Sequence, residues 1–254
     1  MNPNSFRARL LAGEWLSGTF INLGSSLTAE IAARAGFDWL MLDYEHGPGS
    51  EETLLGQLQA VSGFGAATVV RIAENDAPRF KRALDLGSGG VMVPYVNDAA
   101  QARAAVDSVR FPPHGTRGVS KFNRAAGFGF GFEDYYQNAH KNLVTMAQIE
   151  TPEALDNLDE IAAVDGIYVL FVVPLDLSTN LGIQGQFEHP SFVAARQKVS
   201  AAARKAGKVA GILATAPAQI PVLRSEGYTA VALGSDGGAV ASGLHQTLAA
   251  LRSF

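Results

Sequence analysis

Apolar residues in this chain come in short, nearly unbroken runs, separated by longer stretches in which apolar positions recur every three to four residues. The short runs lie at 15–22, 38–43, 67–72, 90–95, 143–149, 167–173, 208–213 and 228–234. Most are apolar throughout rather than alternating, so they read as strands covered on both faces, as in a parallel sheet. The longer stretches, 28–35, 51–61, 76–86, 98–109, 152–163, 191–206 and 218–225, read as amphipathic helices. Start and stop signals agree with this. Thr151-Pro152-Glu153 offers an N-cap, a first-turn proline and an acid at the positive helix end. Gly36, Gly87, Gly166, Gly207 and Gly227 stand where helices should end. Eight strands alternating with helices in 254 residues predict an α/β fold, a single (β/α)8 TIM barrel spanning residues 1–254. A doubly wound open sheet fits less well, because no glycine-rich phosphate-binding turn follows the first strand. Segment 111–141, rich in Gly, Phe, Arg and Asn, breaks the pattern and reads as an irregular loop, either a cover for the barrel mouth or a subunit contact.

Composition narrows the chemistry. With no cysteine, a disulfide scaffold, a thiolate zinc site, an iron–sulfur cluster and a cysteine nucleophile are excluded. Twenty Lys+Arg against 24 Asp+Glu give a net charge of -4 with no basic block, which speaks against nucleic acid as a partner. The longest apolar run, 167–175, is about half a membrane span. The first residues carry neither a long apolar core nor a small-residue cleavage signal. The expectation is a cytoplasmic protein with no membrane partner.

Polar residues of unusual type recur directly after the strands. Asp43, Glu45 and His46 follow the second, Arg71 ends the third, and Gln148 and Glu150 close the fifth. Asp176 follows the sixth, and Ser235 and Asp236 follow the eighth, where they begin the last helix. In a βα barrel all these positions converge on the C-terminal mouth, where such enzymes hold their sites. Glu150 and Asp176, two carboxylates on neighbouring strand ends, suit a hard divalent cation completed by water and a chelating substrate. Asp176 has a second reading as a helix cap; Thr151 already serves that purpose beside Glu150. His46 is the natural general base, with Asp43 placed to orient it. Arg71 needs an anion, either a substrate carboxylate or enolate or an internal partner in Asp43 or Glu45. Asp85 lies in a helical pattern and by periodicity alone is a helix-end acid. No lysine stands at a strand end, which disfavours a Schiff-base route.

Taken in order, Asp43-Tyr-Glu-His46-Gly-Pro, Val69-Val-Arg71, Leu84-Asp85-Leu-Gly87, Gly90-Val-Met-Val-Pro94, Gln148-Ile-Glu150-Thr and Pro174-Leu-Asp176-Leu-Ser178 resemble the metal-dependent pyruvate aldolases of the HpcH/HpaI family, in the phosphoenolpyruvate/pyruvate barrel superfamily. The resemblance covers nearly the whole chain. It implies a class II aldolase that cleaves a 4-hydroxy-2-oxo acid to pyruvate, or a related 2-oxo acid, and an aldehyde. It also implies a divalent metal cofactor (Mg2+ or Mn2+, or Co2+) and a homo-oligomer, commonly a hexamer. His46 would be the base, Arg71 the stabiliser of the enolate, and Glu150 with Asp176 the metal ligands. Gln148 and the main chain around Leu175 would contact the substrate, with Asp43 and Glu45 in support. Asp85 would raise the basicity of the histidine, and a neighbouring subunit is expected to help complete the mouth. The family usually shows Gly-Pro-Ala-Asp-Leu-Ser, where this chain has Val173-Pro174-Leu175-Asp176-Leu177-Ser178, predicting a tighter pocket. An acyl-CoA lyase or other enolate-forming enzyme, and a non-catalytic oxo-acid-binding barrel, are the alternatives.

Overall fold

The computed structural model of the chain describes residues 5–253. The short helix α1 (Phe6–Leu11) precedes the first strand, β1 (Leu16–Ile21). There follow α2 (Ser26–Ala35), β2 (Trp39–Asp43), α3 (Glu51–Val61), β3 (Ala67–Arg71), α4 (Ala77–Asp85), β4 (Gly90–Val93) and α5 (Ala99–Val109). The second half comprises α6 (Phe132–Asn142), β5 (Val144–Gln148), α7 (Pro152–Asp156), α8 (Leu158–Ala163), β6 (Val169–Val172) and α9 (Pro174–Asn180). It ends with α10 (Pro190–Lys205), β7 (Val209–Ala214), α11 (Ile220–Ser225), β8 (Tyr228–Ser235) and α12 (Asp236–Arg252). All eight strands pair in parallel with their sequence neighbours, and β8 returns to β1, so the sheet closes as the sequence predicts. No helix among the described residues is long and apolar enough to cross a membrane.

Two layers of apolar side chains follow from the strand alternation. One set fills the barrel: Leu16, Phe20, Trp39, Met41, Val69, Met92, Met146 and Phe171, with Leu10 of α1 closing the lower end. Trp39 and Phe171 meet edge to face at 6.0 Å, and a Cβ on Gly18 would overlap the Trp39 indole, which explains glycine there. The other set, including Ile21, Leu40, Leu42, Val70, Val91 and Leu170, packs outward against the helices. Side-chain caps fix several helix starts, among them a capping box between Ser50 and Thr53 and the Thr151 cap on Ala154.

Three departures from the expected elements have local causes. Stretch 152–163 forms two helices, α7 and α8, because the chain leaves helical geometry at Asn157, whose side-chain amide donates to the Asn97 carbonyl at 2.9 Å. Segment 111–141 is not wholly irregular. Its last third is α6, with Glu133 and Asp134 in the first turn and His140 and Lys141 in the last, a charge pattern that favours a helix. Nor does the segment lie over its own barrel mouth. It joins the end of α5 to β5, and Arg124 donates to the carbonyls of Leu58 (3.4 Å) and Leu86 (2.7 Å), near the lower ends of α3 and α4. Finally, Asp176 is not a helix cap: α9 begins earlier, with Val173 as N-cap and Pro174 in the first turn.

Candidate active site at the barrel mouth

Strand register builds the first part of the site. Asp43 and Arg71 are partners across β2 and β3, and the guanidinium takes both oxygens of Asp43, at 2.9 and 2.7 Å. Its Nη1 lies 3.2 Å from Glu45 Oε2, and the cation sits 5.2 Å over the Phe20 ring. The internal partner considered for Arg71 is therefore present. A guanidinium has five N–H groups, so each Nη keeps a further hydrogen for another acceptor.

The turn after β2 is organised by Asp43, whose Oδ1 accepts from the amides of Glu45 (3.1 Å) and His46 (3.3 Å). Gly47 packs so closely on the Asp43 carbonyl that a Cβ would overlap it. The turn holds the His46 imidazole in solvent, 63% exposed, with Nε2 3.9 Å from Glu45 Oε1. The expectation that Asp43 orients the ring needs correcting. Both Asp43 oxygens are committed to Arg71 and to backbone amides, so Asp43 positions the residue's main chain, and the carboxylate beside the ring is Glu45.

Glu150, two residues beyond Gln148 at the end of β5, is buried. Its Oε1 accepts from the Tyr95 amide at 2.7 Å and its Oε2 from Gln148 Nε2 at 2.8 Å. Its carbonyl accepts from Asn180 Nδ2 at 2.8 Å. Asp176, half-buried in the first turn of α9, acts electrostatically on Glu150, Glu45 and Arg71, so the two carboxylates share the rim.

Charge at this end is unbalanced. Burial pushes the Glu150 carboxyl up to about 7, against the pull of the Tyr95 amide, and the charges of Asp176 and Glu45 add to the rise. Burial also raises Glu45, with Arg71 opposing. Burial would raise Asp43 too, but the Arg71 ion pair outweighs it and holds Asp43 below the usual range. Two buried acceptors, Gln148 Oε1 and Glu45 Oε2, make no hydrogen bond; for the latter the Arg71 contact is electrostatic only. A divalent cation between Glu150 and Asp176 would relieve this excess of negative charge, so the donor set fits a hard cation. Among the described residues no group of three or more His, Asp or Glu forms a metal cage. Two carboxylates would leave the other positions to water and substrate.

Asp85 is not brought to His46 within one chain. It is the last residue of α4, at the opposite end of the barrel from the strand C-termini. There it holds Arg117 at 2.7 Å. Val173 turns into the barrel interior and is buried, whereas Leu175 is 54% exposed on the rim. The bulk expected at both positions thus reaches the mouth only at Leu175. Sequence reasoning missed Tyr95, whose contribution is a backbone amide, and Asn180, which lies in helix α9. The first-turn proline of the Val173-Pro174 step and the reading of Asp176 as a cap were the signals for that helix.

A closed parallel barrel with carboxylates, one buried arginine and an exposed histidine on its C-terminal rim fits a lyase of the enolate-forming kind. Comparison with known proteins agrees. The sequence profile of the HpcH/HpaI aldolase/citrate lyase family matches residues 16–243. A 5-keto-4-deoxy-D-glucarate aldolase from Klebsiella pneumoniae subsp. pneumoniae is 42% identical over 234 residues, 92% of this chain and 91% of that one. A crystal structure of an HpcH/HpaI aldolase/citrate lyase family protein from Burkholderia cenocepacia J2315 superimposes with a TM-score of 0.94 at 36% identity, covering 98% and 99% of the two chains. The citrate synthase SbnG gives a TM-score of 0.89 at 26% identity, covering 98% of each chain. The chain belongs to the HpcH/HpaI aldolase/citrate lyase family, and it is a class II aldolase, a carbon–carbon lyase acting on small molecules. Divalent-metal dependence is general to these aldolases.

Proposed function

We propose that this aldolase cleaves a 4-hydroxy-2-oxo acid carrying a second carboxylate, of the type 5-keto-4-deoxy-D-glucarate, to pyruvate and a three-carbon aldehyde acid. The substrate class comes from the similar enzyme, 42% identical across nearly the full length of both chains. Numbered from the keto end, such a six-carbon diacid has its ketone at carbon 2 and a hydroxyl at carbon 4, the pattern a retro-aldol reaction requires. The observation that carries the reading is the grouping of buried Glu150 with Asp176, Arg71 and exposed His46 on one rim.

Glu150 and Asp176 are the residues that would hold the cation, Mg2+ or Mn2+ (with Co2+ a third choice). When bound, it supplies Lewis-acid polarisation of the ketone. His46, directly or through one water, takes the proton from the hydroxyl at carbon 4. The bond between carbons 3 and 4 then breaks, its electron pair becoming the enolate and carbon 4 the aldehyde. Arg71, already fixed by Asp43, keeps an N–H on each Nη for the enolate oxygen, so its charge is preorganised where negative charge develops. The protonated His46 returns its proton to carbon 3, giving pyruvate. Gln148, whose Oε1 is buried and unpaired, and the main chain around exposed Leu175 would contact the substrate.

A homo-oligomer, hexameric by family resemblance, completes the proposal. Helix α12 buries none of its residues and exposes Val240, Leu244, Leu248 and Leu251 along one stripe, while α2 exposes Leu27 and Ile31. A neighbouring copy would cover these faces and bring its Asp85 to His46. The composition leads us to place the enzyme in the cytoplasm.

The test is a pyruvate-release assay on a 4-hydroxy-2-oxo diacid, run with and without chelator. Chelator should abolish release and added Mn2+ should restore it. Full activity in chelator, or a borohydride-trapped covalent adduct, overturns the mechanism. Pyruvate binding without turnover would favour the non-catalytic barrel.

A further inference from the structure

Tyr95 stands out in the backbone. With φ at +51 it is one of two non-glycine residues, with Phe128, in the left-handed region among the described residues. That region is disfavoured for an aromatic side chain and persists only where the surroundings enforce it. Burial of the ring does not enforce it, since Tyr95 is 49% exposed with its hydroxyl towards Asn180.

What the turn accomplishes is visible on either side. β4 ends in buried Val93, and buried Val96 re-enters the shell between strands and helices. Between them, the Tyr95 amide points at Glu150 Oε1, 2.7 Å away. The loop is then tied down at Asn97, whose Oδ1 accepts from Thr151 Oγ1 and whose carbonyl accepts from Asn157. Both ties lead to the helix that begins immediately after Glu150. With a negative φ at residue 95, the chain would lose either the aim of that amide or the burial of Val96.

We propose that Tyr95 is a positioning residue whose left-handed backbone, and not its ring, presets the Glu150 carboxylate for cation binding. This rests on the reading of Glu150 as a metal ligand. One oxygen is fixed by Tyr95 and the other by Gln148, so the carboxylate plane cannot rotate and the remaining lone pairs keep one orientation towards the rim.

The experiment is a series at residue 95 ranked by tolerance of positive φ, not by size. Mn2+ affinity of the metal-free protein is read by electron paramagnetic resonance and calorimetry, with thermal melting as a control for folding. Tyr95→Gly and Tyr95→Asn should bind Mn2+ within a few-fold of wild type. Tyr95→Val, β-branched and hostile to positive φ, should weaken binding by about 10- to 100-fold, the usual cost of losing an outer partner of a ligand. Should Tyr95→Val not fold, Tyr95→Ala takes its place with a smaller loss in the same direction. KM for the oxo acid should rise with the metal Kd across the series. Equal affinity in every variant, or a loss in Tyr95→Gly as large as in Tyr95→Val, overturns the inference and leaves the metal site intact. A wild-type protein that binds no Mn2+ overturns both this inference and the metal reading beneath it.

Discussion

The two ends of the barrel treat carboxylates in opposite ways. At the lower end, Asp38 precedes β2 and every hydrogen bond it makes lies within the fold. Oδ2 accepts from the amide (2.9 Å) and hydroxyl (2.8 Å) of Ser17, and Oδ1 from Arg9 at 2.8 Å. Burial would raise Asp38, but these donors outweigh it and hold it below the usual range. At the mouth, Glu150 is more deeply buried, has two donors, and is pushed up to about 7. The lower end is an ion-pair network that stabilises the fold. The mouth carries unrelieved negative charge, which is useful only if something positive arrives.

The largest expected effect breaks that contrast at its centre. Glu150→Gln keeps the shape but removes one charge, and Mn2+ affinity should fall by more than the about 10- to 100-fold typical of an outer partner. Pyruvate release should fall with it. The metal-free variant should melt no lower than wild type, because a neutral side chain no longer opposes Asp176 and Glu45. A clear loss of melting temperature would mean that Glu150 is a structural acid like Asp38.

Next in size is His46→Ala. A general base contributes typically about 10²- to 10⁴-fold, so kcat should drop within that range while pyruvate affinity changes little. The ring is 63% exposed, with Nε2 3.9 Å from Glu45 Oε1, so stability should not move. Unchanged turnover would remove His46 from the base role. The lower end should respond the other way: Asp38→Ala should cost about 1–3 kcal/mol of stability through its abandoned donors. Its kcat should stay at the wild-type value when assayed well below the melting temperature.

How much of this was legible in the sequence follows the same division. The eight strands were readable because a parallel barrel strand is apolar on both faces, and the rim residues because topology alone delivers a charge that directly follows such a run to the mouth. Asp43 and Arg71 could be suspected as partners, but only register places them side by side. Where a contribution runs through the main chain, as with the Tyr95 amide, no residue type announces it. Asp43 was misjudged for a related reason: its closeness to His46 in sequence suggested contact with the ring, whereas turn geometry directs the carboxylate to the amides and to Arg71. Asp85 shows the limit of one chain, since its helix delivers it to the other end of its own barrel.

The smallest predicted effect sharpens the comparison most directly, through pH. Glu150 titrates near 7 in the folded, metal-free protein, against an ordinary value of 4.5. Between those values the folded state holds more protons at this site than the unfolded state. Stability therefore falls as pH rises from about 4.5 to 7, and this group contributes no further slope above that. Asp38 has the reverse sign: its folded value is lowered, so its contribution is present above its ordinary range and lost as acid reprotonates it. A cation at the mouth needs Glu150 ionised, so binding below pH 7 must expel up to one proton, and affinity should fall by up to about tenfold for each unit of pH below that. Calorimetry of Mn2+ binding at pH 6 in two buffers of different ionisation enthalpy counts that proton. A count near zero would show Glu150 already ionised without metal, and the carboxylates at the two ends of the barrel would then be alike.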